Sequence, residues 1–192
     1  MATINDFGIP EVGSGILHPK LKNRWRVTFA NLGGGTETKA VSMQAVSVSR
    51  PNVSWQEVEL HRYNSKAWIA SKHTFEPMSL TLEDDITNTA TKVIQQQMQK
   101  QQWLIGAEGP WLRTASTASS YKFTAYVDLL DGNEQIIEKW TYEGVWIVSA
   151  DFGDLDYSNG EAAQIALSLR YDNVRQDISY TEANEYGTAL GA

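Results

Sequence analysis

The sequence predicts a mainly β protein: an antiparallel β-sandwich or barrel with one flanking α-helix, long loops and extended termini. Three observations support this class. Apolar and polar residues alternate over 164–171, as in a strand with one buried face. Turn-forming residues at 157–160 precede that run, so the chain reverses direction there. The segment at about 85–102 has the apolar spacing of an amphipathic helix.

Composition indicates a folded domain without thiol chemistry. The chain has 192 residues, 42% of them apolar, with seven Trp and eight Tyr, which suits one domain with a sizeable core. It contains no cysteine, which excludes disulfides, thiolate catalysis and cysteine metal sites. The first residues lack the pattern of a signal peptide, and no stretch approaches the roughly 18 apolar residues of a membrane span. We therefore expect a soluble protein with no membrane partner.

The net charge of −7 is unevenly distributed. Residues 20–72 contain nine Lys or Arg against three Glu, whereas residues 126–161 contain nine acids against Lys139 alone. One interpretation is two solvated faces of opposite sign. The other is head-to-tail self-association, in which the basic part of one copy meets the acidic part of the next.

The N-terminal half predicts an arm followed by strands. Residues 1–22 have no period and are expected to order only against another surface. Alternation predicts strands at 23–30, 38–49, 53–62 and 75–82. The glycines at 33–35 are interpreted as a turn rather than a phosphate loop, because no Lys-Ser/Thr follows them.

The C-terminal half begins with the helix. Its predicted apolar face consists of Ile86, Ala90, Val93, Ile94 and Met98. A loop is expected at 103–120, then two strands, at 121–129 and 135–142, joined by an Asp131-Gly132 hairpin turn. No period follows Asp172. The predicted organisation is an arm at 1–22, a β domain at 23–172 and a C-terminal extension at 173–192.

The residue types that carry catalysis or bind metals do not form a recognisable set. His18, His61 and His73 are far apart and lack the spacing of metal ligands. The carboxylate pairs Glu57/Glu59 and Asp154/Asp156 are more typical of a negative strand surface than of acid–base catalysis. No serine lies in a nucleophile-elbow pattern. We expect no enzymatic activity, no cofactor and no metal.

Specific residues in a fixed order carry a resemblance to a known family. The order comprises Ala45 to Pro51, Val58-Glu59-Leu60, Asn64, Leu80-Thr81-Leu82 before Asp84-Asp85, Gly144-Val145-Trp146, Gly153 to Asn159, and the run into Leu169-Arg170-Tyr171-Asp172. It resembles the contractile-tail bacteriophage tail tube proteins, which are related to the type VI secretion tube proteins. The resemblance covers about 23–172, and residues 173–192 depart from it.

The resemblance implies a structural subunit of the phage tail inner tube. Such subunits assemble into stacked hexameric rings whose lumen conducts DNA during ejection. The implied partners are further copies of the chain, the tail sheath protein, baseplate tube-initiator and tail terminator proteins, and, without specific binding, the tape measure protein and passing DNA. The implied location is the virion tail, assembled in the host cytoplasm.

The residues also leave an alternative function open. A β-sandwich carbohydrate-binding module of a virion or secreted assembly would use Trp55, Trp68 and Trp111 in loops.

Two groups of site residues are expected. The resemblance implies ring stacking through a projecting loop, and the non-periodic segment 63–72 exposes apolar residues there. The predicted stacking residues are Tyr63, Asn64, Lys66, Trp68, Ile69 and Lys72. A lysine-lined wall would bind DNA by counterion release, so the lumen is expected to be acidic or neutral. Its candidates are Asp128, Glu134 and Glu138, then Glu57 and Glu59, although each of these acids is also explained by an outer surface.

Overall fold

The computed structural model describes residues 20–33, 38–102, 117–131, 135–158 and 160–177. Within these ranges the chain forms nine strands, two α-helices and a short 3-10 turn at Ala118–Ser120. The strands are β1 Trp25–Ala30, β2 Ala45–Val48, β3 Val53–Arg62, β4 Ser65–Phe75, β5 Met78–Glu83, β6 Phe123–Leu130, β7 Ile136–Asp151, β8 Gln164–Arg170 and β9 Asn173–Asp177. The helices are α1 Thr38–Met43 and α2 Thr89–Gln101.

The main sheet is antiparallel with the strand order β1-β6-β7-β8-β5-β2, and β9 pairs with β7. The long strand β7 connects two layers. Its first half pairs with β6 and β9, and its second half, from Trp146 onward, pairs with β8. Gly144 separates the two halves at φ +67°, a conformation that glycine adopts without strain. The fold class predicted from the sequence is confirmed. In the described residues the strand path ends at β1 and β2, so the sandwich is open.

The core lies between the sheet layers and helix α2. The largest fully buried side chains include Tyr142, Met78, Leu80, Leu82, Ile94, Ile165 and Leu169. On α2, the predicted residues Ala90, Val93 and Ile94 are buried and Met98 is partly buried against the core. The alternation predicted for β8 is also observed, with Ile165, Leu167 and Leu169 buried.

The start of α2 was predicted too early. The helix begins at Thr89, and Ile86, expected on its buried face, is 101% exposed in the preceding turn. The carboxylate of Asp85 accepts hydrogen bonds from the Thr87 hydroxyl and from the Thr89 backbone N–H, and these bonds lower its pKa. Asp85 thus closes the turn that precedes the helix.

Three short or exposed segments differ from the prediction. The strand expected at 38–49 is helix α1 followed by β2, since six residues are too few for a helical period to stand out. The segment expected to be a loop after Arg62 is strand β4, which includes Phe75. The aperiodic C-terminal extension begins with strand β9. Both missed strands lie largely in solvent, so they lack the apolar alternation of a half-buried strand.

Candidate assembly surface

Strands β3 and β4 form a hairpin that stands out from the core. They pair antiparallel from Val53↔Phe75 to Arg62↔Ser65 and turn at Tyr63-Asn64. Strand β3 has ten residues, which at about 3.3 Å each extend roughly 30 Å. No residue from 53 to 75 is buried, and the half-buried ones lie at the base or at 59–60. The hairpin therefore presents two faces to solvent.

One face of the hairpin is apolar. Val58 pairs with Ile69 and Leu60 pairs with Ala67, and directly opposed residues point to the same side of a sheet. Val58 is 39% exposed and Ile69 49% exposed. A two-stranded ribbon with an uncovered apolar face is expected to contact a partner.

The other face combines a large aromatic residue with charges. Trp68 is opposite Glu59 and is 61% exposed. Lys66 Nζ lies 2.5 Å from Glu59 Oε1, so the charge of this acid is compensated within the hairpin. This face also presents an aromatic ring that has no cover from the core.

An aromatic contact anchors the base of the hairpin. The Phe75 ring lies 5.3 Å from the Tyr171 ring, which meets Tyr142 edge-on at 4.9 Å. Burial, together with the neighbouring Tyr171, raises the pKa of Tyr142 well above its ordinary value. Its hydroxyl therefore stays protonated and donates to the Ser49 carbonyl at 3.3 Å. The Glu76 N–H closes the base by donating to the Asn52 carbonyl at 3.0 Å.

The six predicted stacking residues all lie on this hairpin. Tyr63, which is 102% exposed, and Asn64 form the turn, and Lys66, Trp68, Ile69 and Lys72 lie on β4. Their function in stacking stays a prediction. The apolar pair Val58 and Leu60 was not among them. Their alternation with Glu57 and Glu59 was visible in the sequence, but their pairing with Ile69 and Ala67 requires the register.

A cleft lies between the two end strands of the sheet. It has a volume of about 480 Å³ and is lined by apolar residues of β1 and β2 and by the cations Lys20, Lys22 and Arg50. Because β1 and β2 each have one pairing partner in the described sheet, their outer edges keep backbone groups available for a further strand.

Two of the lumen candidates, Asp128 and Glu138, are buried and form ion pairs. Asp128 is 3% exposed, and Arg26 Nε donates to its Oδ2 at 3.0 Å. Glu138 is 5% exposed and accepts hydrogen bonds from Lys20 and from the Trp140 indole. Burial opposes ionisation of Glu138. The hydrogen bonds from Lys20 and Trp140 and the positive charges of Lys20 and Arg50 together outweigh the effect of burial. They hold the pKa of Glu138 below its ordinary value.

The lumen candidates do not form one wall in the protomer. Asp128 is opposite Lys139 in the β6–β7 register, so it points to the other side of the sheet from Glu138, the residue before Lys139. Glu57 and Glu59 lie on the β3–β4 hairpin, and Glu134 lies outside the described residues. The assignment of any of these acids to a lumen stays a prediction. Asp128 and Glu138 point to opposite sides of the sheet, so at most one of them can face a lumen formed by that sheet.

Where side chains are described, no three His, Asp or Glu come together in a group able to hold a metal ion. The described helices include none that is long and apolar enough to cross a membrane.

No family model matches the chain. It is 25% identical over 184 residues to the tail tube protein of Serratia phage KSP90, covering 93% of this chain and 99% of that protein. Among solved structures, a chain of the anti-feeding prophage baseplate superposes with a TM-score of 0.63 at 16% identity, covering 83% of this chain and 96% of that one. A chain of the sheath–tube complex of the PVC extracellular contractile injection system gives 0.59 at 12% identity, covering 92% and 99%.

These comparisons confirm the resemblance found in the sequence. The chain is similar over nearly its whole length to a protein named for a structural part of a phage tail, in agreement with the expectation that it is not an enzyme. The solved structures share its fold. The carbohydrate-binding alternative gains no support, since Trp55 and Trp68 lie on hairpin strands rather than in loops, and Trp111 is outside the described residues.

Proposed function

We propose that this chain is the subunit of a contractile-tail inner tube, which assembles into hexameric rings that stack and enclose a channel for DNA. The observation that carries the proposal is the similarity to a tail tube protein along 99% of that protein's length. Such a subunit belongs to the tail of the virion, and assembly takes place in the host cytoplasm. The geometry of the protomer adds three supporting features.

The open ends of the sheet support lateral assembly. Strands β1 and β2 end the strand path and border a cleft of about 480 Å³. Neighbours in a ring would cover these edges with their own strands, and the inner barrel would become continuous. Closure of this kind removes the exposed edges through which open sheets aggregate.

The β3–β4 hairpin supports axial assembly. It exposes Val58 and Ile69 on one face and Trp68 on the other, and none of these residues packs into the core of its own protomer. A contact with the next ring would bury this apolar surface. The six predicted residues at its turn and on β4 are the proposed ring-to-ring contact.

The ion-paired acids support a wall that does not retain DNA. Arg26 pairs with Asp128 and Lys20 pairs with Glu138, so whichever of the two acids lies on the lumenal side of the sheet presents little net charge of either sign. A neutral or acidic lumen avoids the counterion release that makes a cationic wall bind duplex DNA.

The proposed partners follow from the same assembly. A sheath would surround the tube, baseplate and terminator proteins would bind its two ends, and the tape measure protein would occupy the lumen before DNA passes. The named structural relatives come from a baseplate and a sheath–tube complex, and this supports partners of that kind.

A shortened hairpin tests the stacking step. Replacing residues 59–68 by an Asn-Gly turn removes the tip symmetrically, and the new turn is closed by Val58↔Ile69, a pair of the same hydrogen-bonding type as the present Arg62↔Ser65. We expect the variant to fold and to form single rings without tubes in negative-stain micrographs. A matched control replaces exposed Ser119 by Ala and should form tubes normally. Tubes of ordinary length from the shortened variant would contradict the hairpin's role.

A further inference from the structure

The hairpin and one exposed loop lie at opposite ends of strand β5. At the Met78 end, β4 runs into β5 after two residues, and the Ser79 N–H donates to Ser49 Oγ beside the start of β3. At the other end, Glu83 pairs with Gln164, where the loop from β7 returns into β8. The Asp84 N–H donates to the Ala163 carbonyl at 2.9 Å. Six residues of strand separate the two ends by roughly 17–20 Å.

The Glu83 end of β5 carries exposed apolar side chains among its acidic residues. We call residues 83–88, 151–158 and 160–164 the acidic end. Leu155 is 91% and Tyr157 111% exposed, and Ile86, in the turn that follows β5, is 101% exposed. Phe152, Leu155, Ala162 and Ala163 are the apolar residues that line a groove of about 630 Å³. Large exposed apolar side chains beside a groove are typical of a protein–protein contact.

The charges of the acidic end and of the hairpin are complementary. The acidic end contains seven Asp or Glu and no Lys or Arg. The whole hairpin, residues 53–75, contains Arg62, Lys66 and Lys72 against Glu57 and Glu59, a net charge of +1. Its hairpin tip segment, residues 60–67, contains Arg62 and Lys66 and no acid, and Lys66 is paired with Glu59. Opposite signs at the two ends favour contact of one end with the other and disfavour contact of like ends.

We propose that the hairpin tip segment of one copy docks in the groove of the acidic end of a second copy in the adjacent ring. The two surfaces are different patches at opposite ends of β5, so the contact is head-to-tail and leaves both outer ends free for the next copy. The inference rests on the proposed function, and it adds which surface of the neighbour receives the hairpin. The apolar side chains supply the buried area, and the charges set the direction.

Cysteine cross-linking tests the docking directly, because the chain contains no cysteine. The variants Asn64→Cys, at the hairpin turn, and Leu155→Cys, in the groove, are mixed, assembled and treated with a flexible bismaleimide. We expect a cross-linked dimer from the mixture that disappears when assembly is prevented. The control mixture combines Asn64→Cys with Ser119→Cys, an exposed position in the 3-10 turn. Tubes in which the Asn64–Leu155 pair cross-links no more than this control would overturn the proposal.

Charge reversal gives a second, independent readout. Asp154→Lys with Asp156→Lys reverses the groove, and Arg62→Glu with Lys72→Glu reverses the hairpin. Each pair of substitutions should raise the protein concentration needed for tube formation by about tenfold at low salt. The four substitutions together should return that concentration most of the way to the value of the unmodified protein.

Different results would contradict the docking of the hairpin and the proposed function. If the hairpin reversal blocks stacking while the groove reversal leaves tubes unchanged, the hairpin docks elsewhere, and only this inference is lost. If the unmodified chain forms no rings under any condition, the proposed function itself is wrong.

Discussion

The ring of Phe75, the last residue of β4, lies 5.3 Å from the ring of Tyr171 at an interplanar angle of 41°. Tyr171 is 4% exposed and meets Tyr142 at the centre of the fold. The hairpin therefore leaves the core through a packed aromatic contact, and its direction depends on these rings as well as on the backbone.

Phe75→Ala should loosen the hairpin more than it weakens the fold. The ring is half-buried, so we expect a loss of about 1–2 kcal/mol in the free energy of unfolding. Limited trypsin digestion should cleave after Lys66 and Lys72 several times faster than in the unmodified protein. Trp68→Ala, which removes an exposed ring further out, is the control and should leave the digestion rate nearly unchanged. Equal digestion of both variants would argue against the anchor.

Gly144→Ala should destabilise the junction of the two layers. Gly144 has φ +67°, and a Cβ there would lie 2.3 Å from Asp172 Oδ2. The left-handed backbone costs about 1–2 kcal/mol for a residue with a Cβ, and relief of the clash adds to that. Asp172→Ala in the same background should recover the part due to the clash. Urea unfolding of the single and double variants measures both parts. No recovery in the double variant would mean that backbone strain alone accounts for the loss.

Gln97→Leu should lower the free energy of unfolding, because Gln97 is fully buried on the side of α2 that faces the core. Its buried amide accepts a hydrogen bond from the Gly33 N–H at 3.1 Å and donates to the Tyr121 carbonyl. Leucine would leave both backbone groups buried without these bonds, at a cost of about 2–4 kcal/mol. Lys100→Leu, an exposed change on the same helix, should cost less than about 0.5 kcal/mol by thermal or urea unfolding. Similar losses for the two variants would refute this role of Gln97.

Glu138→Gln should lower stability near neutral pH and have less effect in acid. The pKa of Glu138 is lowered in the folded protein, so its carboxylate stabilises the fold at pH values above the ordinary pKa that it has in the unfolded chain. That contribution is lost as the pH falls through the folded pKa. Unfolding free energies of both proteins at neutral pH and at successively lower pH should therefore converge. A difference that stays constant into strong acid would show that the charge of Glu138 is not its cause.

The periodicity of apolar residues predicted the elements that have one solvent-exposed face and one buried face. Ala90, Val93 and Ile94 follow a helical period because α2 covers the core, and Ile165, Leu167 and Leu169 alternate because β8 has one buried face. Strand β4 was missed because nearly all of its residues are exposed, so no buried face imposed a pattern. Gln97 was hidden in a glutamine-rich run, where composition does not distinguish a buried amide from a solvated one.

The candidate site was not predictable in detail. The segment from Arg62 to Lys72 was expected to be a loop that contacts the next ring. It is mostly strand β4, its residues are exposed, and its contact with another ring stays a prediction. The partners of the acids were not visible, since Arg26 is 102 residues from Asp128 and Lys20 is 118 residues from Glu138. The register of β1 and β6 places Arg26 opposite Asp128, and Lys20 reaches Glu138 of β7 from the segment before β1.

The central claim, that this chain builds a tube from stacked rings, is tested most directly by electron microscopy of the purified protein at high concentration and low salt, with native mass spectrometry of the same sample. We predict six-membered rings with a central channel that stack into tubes, and a hexamer mass in the spectrum. Particles that remain monomeric under these conditions, with no ring in the micrographs and no hexamer in the spectrum, would contradict it.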